Sequence, residues 1–150
     1  MNQKSGPSST LAHRCRAVPY DREKLDTLVN NALPHCLTIA KKHHAELASL
    51  PAVEITILGA RAMAKVHRDF LGIPGPTDVI TFPYGEILVC AHVAADRARE
   101  FGHDTTTELA LYAIHGLLHL SGHDDIIPAK EKRMAAAQEK ILAEVLKANG

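Results

Sequence analysis

His115 and His119 lie in a stretch, Leu109 to Leu120, whose other residues are all apolar or glycine. Four residues is about one helical turn, so both imidazoles project from one face and can share a metal ion. The alternative is a pair of core histidines satisfied by local hydrogen bonds. Each brings polar nitrogens into a dry site, however, where an unsatisfied group costs about 1–3 kcal/mol, and a metal would satisfy one nitrogen of each. A catalytic zinc site also needs a third protein ligand and an open position for water. His123, Asp124 and Asp125 follow just beyond Gly122 and can close the triangle. The residue after the first histidine is Gly116, not the glutamate of the zinc protease motif HExxH, so a zinc peptidase is disfavoured.

The element that must position the pair is a helix over Thr105 to Leu120. Thr105 and Glu108 have the spacing of a capping box, and Gly122 is placed to stop the helix beyond its last turn. Because it is hydrophobic all round, it is expected to be central and buried. Upstream, Leu25, Leu28, Val29, Ala32 and Leu33 recur at helical spacing behind Asp21, and Pro34 interrupts the pattern. The spacing does not decide whether helix resumes between Cys36 and Leu50, and Pro51 closes the segment. Val53 to Gly59 reads as a strand and RAMAKVHRDFLG as a helix ending near Leu71 and Gly72. That helix carries Arg61, Lys65 and Arg68 on one face, which by default is a solvated surface. Asp78 to Phe82 and Glu86 to Cys90 are separated by a short link and are expected to form an antiparallel hairpin. A helix ended by Gly102 follows, and the last helix, Ala129 to Ala148, sets Met134, Gln138, Ile141, Leu142 and Val145 along one side.

The 150 residues form an expected single domain, 1–150, large enough to bury a core without staples. The polar first ten residues are expected to be a disordered lead. Seventeen basic side chains balance seventeen acidic ones, so the net charge is zero and any nucleic-acid site must be local. Cys15, Cys36 and Cys90 are odd in number and widely spaced, which argues against a disulfide framework and for a reducing compartment. With no signal peptide and no run of about 18 apolar residues, the expected location is cytoplasmic, with no membrane partner. Six aromatic residues offer no evident platform for stacking bases. The other histidines, His13, His35, His43, His44, His67, His92 and His103, read as surface or loop residues without ligand spacing.

HGLLHLSGHDD, His115 to Asp125, resembles the HGxLHLxGYDH signature of the YbeY family of endoribonucleases. PTDVITFP (Pro76 to Pro83) is similar to that family's PTDVLSFP, and GEILVC and MAAAQEKIL resemble its GDIVI strand and its closing helix. HRDF, around Arg68, sits where the family has a YRxKD-like segment. The resemblance runs from about Val53 to Leu142. It implies an α/β (α+β) fold, a small mixed β-sheet packed by helices, with the buried central helix carrying the HGxLH motif. It also implies one divalent metal, usually zinc, and a metal-dependent, single-strand endoribonuclease acting on ribosomal RNA at the 3′ end of the small-subunit RNA and in ribosome quality control. Ribosomal proteins or a ribosome-associated GTPase are the implied delivery partners.

Carried onto this chain, the first two ligands are His115 and His119, and the cleft arginine is Arg68, which raises Arg61, Lys65 and Arg68 to an expected RNA-binding face. The family's third histidine falls on Asp125 and its tyrosine on His123. Asp125 is the favoured third ligand, because it keeps the ten-residue offset from His115 and zinc accepts carboxylate oxygen; His123 is the alternative. A carboxylate there lowers the charge of the site by one unit, which makes bound water less acidic and favours a harder metal. Arg68, His115 and His119 are thus the expected catalytic set, and no general base is identified. A metallohydrolase with a non-RNA substrate, a non-catalytic ribosome assembly factor and a purely structural metal site are the rival readings.

Overall fold

A computed structural model describes residues 6–150. In chain order these form β1 (Ser8–His13), α1 (Arg22–His43), a 3-10 turn (Glu46–Ser49), β2 (Ala52–Leu58), α2 (Ala60–Leu71), β3 (Val79–Phe82), β4 (Glu86–Cys90), α3 (Ala91–Phe101), α4 (Thr105–Leu120) and α5 (Pro128–Asn149). The strands make one mixed sheet in the order β1-β2-β4-β3. β1 with β2 and β2 with β4 are parallel, whereas β3 returns antiparallel to β4 as the expected hairpin. The fold is α/β, as the resemblance implies.

Alternation along the strands divides the core in two. Val53, Ile55, Ile57, Ile87 and Val89 turn to one face, into the large cluster shared with α1, α4 and α5. Leu88, Cys90 and Ile80 turn to the other face and pack against Met63 of α2. The helix that carries the histidines and the helix that carries Arg68 therefore lie on opposite sides of the sheet.

α4 is central and buried as its sequence requires: Leu109, Ile114, Leu117 and Leu118 are wholly inaccessible. Its cap differs from the expected box. Asp104, not Thr105, stands at the N-cap and accepts from the Thr107 amide at 2.7 Å. Glu108 is buried and pairs instead with His103. An aspartate at the cap offers the same orphan amides a charged acceptor.

Two further expectations are corrected. α1 does not break at Pro34 but runs on to His43. Pro34 lies on the solvent face, and the apolar stripe continues past it through Cys36 and Ala40, so packing outweighs the single lost amide. The expected disordered lead does not reach Thr10. Residues 1–5 lie outside the described ones, and Ser8 to Thr10 pair with Ala52 to Glu54 at the start of a parallel strand.

Gly116 sets how closely α4 approaches the sheet. A Cβ there would stand 2.7 and 2.9 Å from Ile87 carbons and 3.0 Å from the Thr81 hydroxyl. Alanine would gain about 1 kcal/mol of helix propensity but overpack the contact by about 1–3 kcal/mol. Gly116→Ala is therefore expected to lower stability by up to about 2 kcal/mol, read as a lower denaturant midpoint at unchanged slope.

Candidate metal centre

The last turn of α4 brings the two imidazoles together at the floor of a cleft. The Nε2 atoms of His115 and His119 lie 3.2 Å apart, and both rings are about one quarter to one third exposed. Two ring nitrogens that face each other with no proton between them do not attract, so this arrangement calls for a cation or a shared proton. Nitrogens about 2.0–2.1 Å from a tetrahedral ion stand about 3.3 Å apart, which is the separation seen. The Asp125 carboxylate faces the pair, one oxygen 3.9 Å from each Nε2. Among the described residues, His115, His119 and Asp125 form the one group of three whose ligand atoms all lie within 4.8 Å of one another.

Each member is held from behind. His115 Nδ1 is 2.8 Å from the Gln138 amide oxygen on α5, so it carries the proton and leaves the Nε2 lone pair toward His119. Gln138, which the sequence placed only on an apolar helix side, thus orients the first histidine. Burial, and next the repulsion that a second proton on the His115–His119 pair would meet, push the His119 pKa below its ordinary value of 6.5. Neutral imidazole is the form that binds metal. Asp125 is delivered by a turn anchored at Ser121, whose buried hydroxyl lies 3.0 Å from the Cys36 carbonyl and 2.7 Å from that of Leu117. His43 Nδ1 donates to the Ser121 carbonyl at 2.9 Å. Gly122 then turns the chain at φ +100, and any side chain on it would strike the His43 ring.

The cleft, of about 270 Å³, is lined by His115, His119, Val79, Thr81, Pro83 and Glu46. Glu46, on the 3-10 turn, brings a carboxylate that no spacing in the sequence connects with α4. Asp78, of the PTD motif, caps its own strand through the Val79 amide and pairs with Arg97 at 2.9 Å. It holds β3, and with it Thr81 and Pro83, in place.

Other expected site residues are not gathered here. His123 stays out of the three-residue group, its ring edge-on to that of His43 at 5.7 Å. Arg61, Lys65 and Arg68 are exposed on α2, and none of them lines the cleft. Lys65 and Arg68 both turn to Asp69, at 2.7 and 3.3 Å. Nor are all the remaining histidines superficial: His67 is buried, with Nδ1 2.8 Å from the Gly75 carbonyl. Three of the six aromatic residues are gathered together on the surface. Phe70 packs edge-on against Phe82, which stacks on Tyr84, and Phe70 and Tyr84 are about two-thirds exposed. Phe82 and Tyr84 flank Pro83 of the cleft wall.

A profile of the family described as Endoribonuclease YbeY matches residues 12–146. The chain belongs to the YbeY family. Curated relatives named Endoribonuclease YbeY include one from Mycolicibacterium paratuberculosis, 36% identical over 72% of this chain and 73% of that protein. One from Mycobacterium tuberculosis is 35% identical over the same shares, and one from Rhodococcus erythropolis is 33% identical over 74% and 73%. Among solved structures, a Thermotoga maritima protein studied in solution superposes with a TM-score of 0.61 at 29% identity, covering 93% of this chain and 91% of that one. The match to this family begins at residue 12 and so takes in α1, whose sequence alone carried none of the resemblance. No helix among the described residues is long and apolar enough to cross a membrane.

The His/Asp group makes a specific metal-binding prediction. His115→Ala and Asp125→Ala are expected to abolish stoichiometric divalent metal, whereas His123→Ala retains it, as measured by elemental analysis of the dialysed proteins. Gln138→Ala should weaken metal about 10- to 100-fold while the chain stays folded. Because the folded state holds His119 neutral, the unfolded chain takes up the proton first. The stability contributed by that group is thus present above pH 6.5 and lost as pH falls below it, and metal affinity falls in the same direction.

Proposed function

We propose that this chain is a metal-dependent, single-strand endoribonuclease of the cytoplasm, its single domain hydrolysing RNA phosphodiester bonds in maturation of the small-subunit ribosomal RNA 3′ end and in ribosome quality control. The observation that carries the reading is the facing pair of Nε2 atoms with a carboxylate opposite, on the floor of an open cleft, in a chain whose relatives are named endoribonucleases.

His115, His119 and Asp125 are the residues to hold one divalent ion, zinc by the nitrogen-rich character of the set. When bound, such an ion supplies Lewis acidity for a phosphoryl oxygen and for water. The protein's part is positional. Gln138 fixes the tautomer of His115, Thr81 and Pro83 wall the cleft, and Glu46 is the carboxylate on that wall able to accept a proton from attacking water. Three protein ligands leave a coordination position open, which favours a catalytic over a structural site.

Two features favour an unpaired strand. Phe82 and Tyr84 adjoin Pro83 of the cleft wall in sequence, and with Phe70 they form an exposed aromatic group, on the α2 face of the sheet, that suits splayed bases. Arg61, Lys65 and Arg68 meet the RNA backbone on the outer surface of α2 rather than at the scissile phosphate, since Arg68 is held to Asp69 outside the cleft. A neutral chain with so local a basic surface fits delivery by ribosomal proteins or a ribosome-associated GTPase.

The test is cleavage of a labelled single-stranded oligoribonucleotide by metal-loaded protein. His119→Ala should lose all cleavage, and wild-type levels in that variant overturn the reading. Glu46→Gln should lower kcat by about 10²- to 10⁴-fold with metal retained. Arg68→Ala should raise KM a few-fold without loss of metal. In a separate binding measurement, Tyr84→Ala should weaken a single strand by about tenfold but leave an abasic strand unaffected.

A further inference from the structure

The turn that presents Asp125 to the two histidines presents the preceding residues, His123 and Asp124, to a second concavity, of about 390 Å³. Its remaining walls come from the two long helices that flank the turn: Lys42 and His43 at the end of α1, and Lys130 and Arg133 at the start of α5. Three permanent cations thus line the space against the single carboxylate of Asp124, which stands 3.5 Å from Lys130. Lys42 and Arg133 form no ion pair among the described residues. The shape is rigid where it meets the metal centre. His43 is tied to the Ser121 carbonyl, its ring lies edge-on to His123, and Gly122 between them has no room for a side chain.

We propose that this concavity is a binding subsite for a phosphate of the RNA backbone, next along the strand from the phosphate at the metal centre. The proposal rests on the endoribonuclease reading above. Unneutralised cations around a concavity hold an anion, and a guanidinium fork with an adjacent ammonium matches the two free oxygens of a phosphodiester. Asp124 and Asp125 are consecutive, so the group facing this space and the group facing the histidines are one peptide apart, about 3.8 Å between Cα atoms. A strand crossing the turn meets both sites in succession. The α2 surface is less suited to this part, because Lys65 and Arg68 are already joined to Asp69. Free inorganic phosphate shares the chemistry, and the experiment separates the two.

Binding is read on metal-loaded protein with a fluorescent single-stranded deoxyoligonucleotide, which carries the same phosphates as RNA, between about 50 and 200 mM salt. The double variant Lys42→Ala/Arg133→Ala is expected to bind about tenfold more weakly. Its slope of log K against log salt should fall by about 0.7 for each phosphate that is no longer neutralised. Circular dichroism and metal content should match the wild type, since both side chains are on the surface. An unchanged Kd and slope overturns the proposal. So does the finding that Arg61→Ala/Lys65→Ala/Arg68→Ala alone reproduces the loss. In the second arm, inorganic phosphate is titrated while the amide and side-chain NMR signals of Arg133 and His123 are followed. Saturable shifts combined with unchanged oligonucleotide affinity in the double variant would mean a small-anion site, and would equally overturn the RNA subsite. Because strand binding is measured without cleavage, a failure here leaves the result for His119→Ala standing, and the reverse.

Discussion

The contact between Gly116 and the Ile87–Thr81 surface is the constraint on which the remaining geometry depends. α4 must be apolar enough to fill the space between the sheet and α1, yet it must carry two imidazoles to the surface in its final turns. It does both by lying hard against β4 and β3 at a residue without a side chain. The helix then leaves the core at His119, beside Thr81 and Pro83, instead of being held off by a Cβ. The glycine that takes the place of a peptidase glutamate is therefore a packing requirement. Its position next to His115 also leaves any general base to come from another element, and the carboxylate that reaches the cleft is Glu46 of the 3-10 turn.

The second constraint is the junction after α4. A helix C-terminus leaves carbonyls without partners. Here an orphan carbonyl is answered from α1, where His43 covers that of Ser121, and the Ser121 hydroxyl ties the turn to α1 by donating to the Cys36 carbonyl. That explains why α1 has to run through Pro34. A helix ending at Leu33 would deliver neither Cys36 nor His43 to the turn, and Asp125 would hang on an unsupported loop. The cost of a proline in an exposed helical position, about 3 kcal/mol relative to alanine, is borne because the distal half of α1 positions a ligand.

What the sequence made legible follows from the range of each interaction. The pairing of His115 with His119, the stop at Gly122, the hairpin around Gly85 and the buried character of α4 are all local and repeat at known periods. Their residues can be read from one window. The Asp104 cap is displaced by one residue from the expected one because Thr105 with Glu108 imitates a capping box, and only the burial of Glu108 against His103 shows where that side chain is used. β1 is hidden because Ser8, Ser9 and Thr10 have no apolar alternation. Their strand state is imposed by parallel pairing with β2, across 44 residues of sequence. Gln138, Glu46 and the Phe70–Phe82–Tyr84 group are invisible for the same reason, since each meaning arises only across elements. Arg68 shows the converse limit: helical spacing puts three cations on one face, but nothing in spacing says which side of the sheet that face is on.

Charge ties these parts together. With Asp125 as the third ligand, as proposed, a bound metal would sit in a site one charge unit less positive than with three histidines and would attract a phosphodiester less strongly. In a chain with no net charge that loss is not made good by any general field. Positive side chains gather around the same turn, where Lys42, Lys130 and Arg133 outnumber Asp124. Consecutive aspartates thus divide the work of the turn. Asp125 faces the histidines, while Asp124 holds Lys130 at the edge of a cationic hollow. An anion of extended shape, able to place one oxygen group on each side of the turn, gains from both, whereas a compact one can occupy only one at a time. On the proposed reading a polyanionic strand is therefore favoured over a small phosphate ester, through the geometry of a single turn instead of the overall charge of the protein.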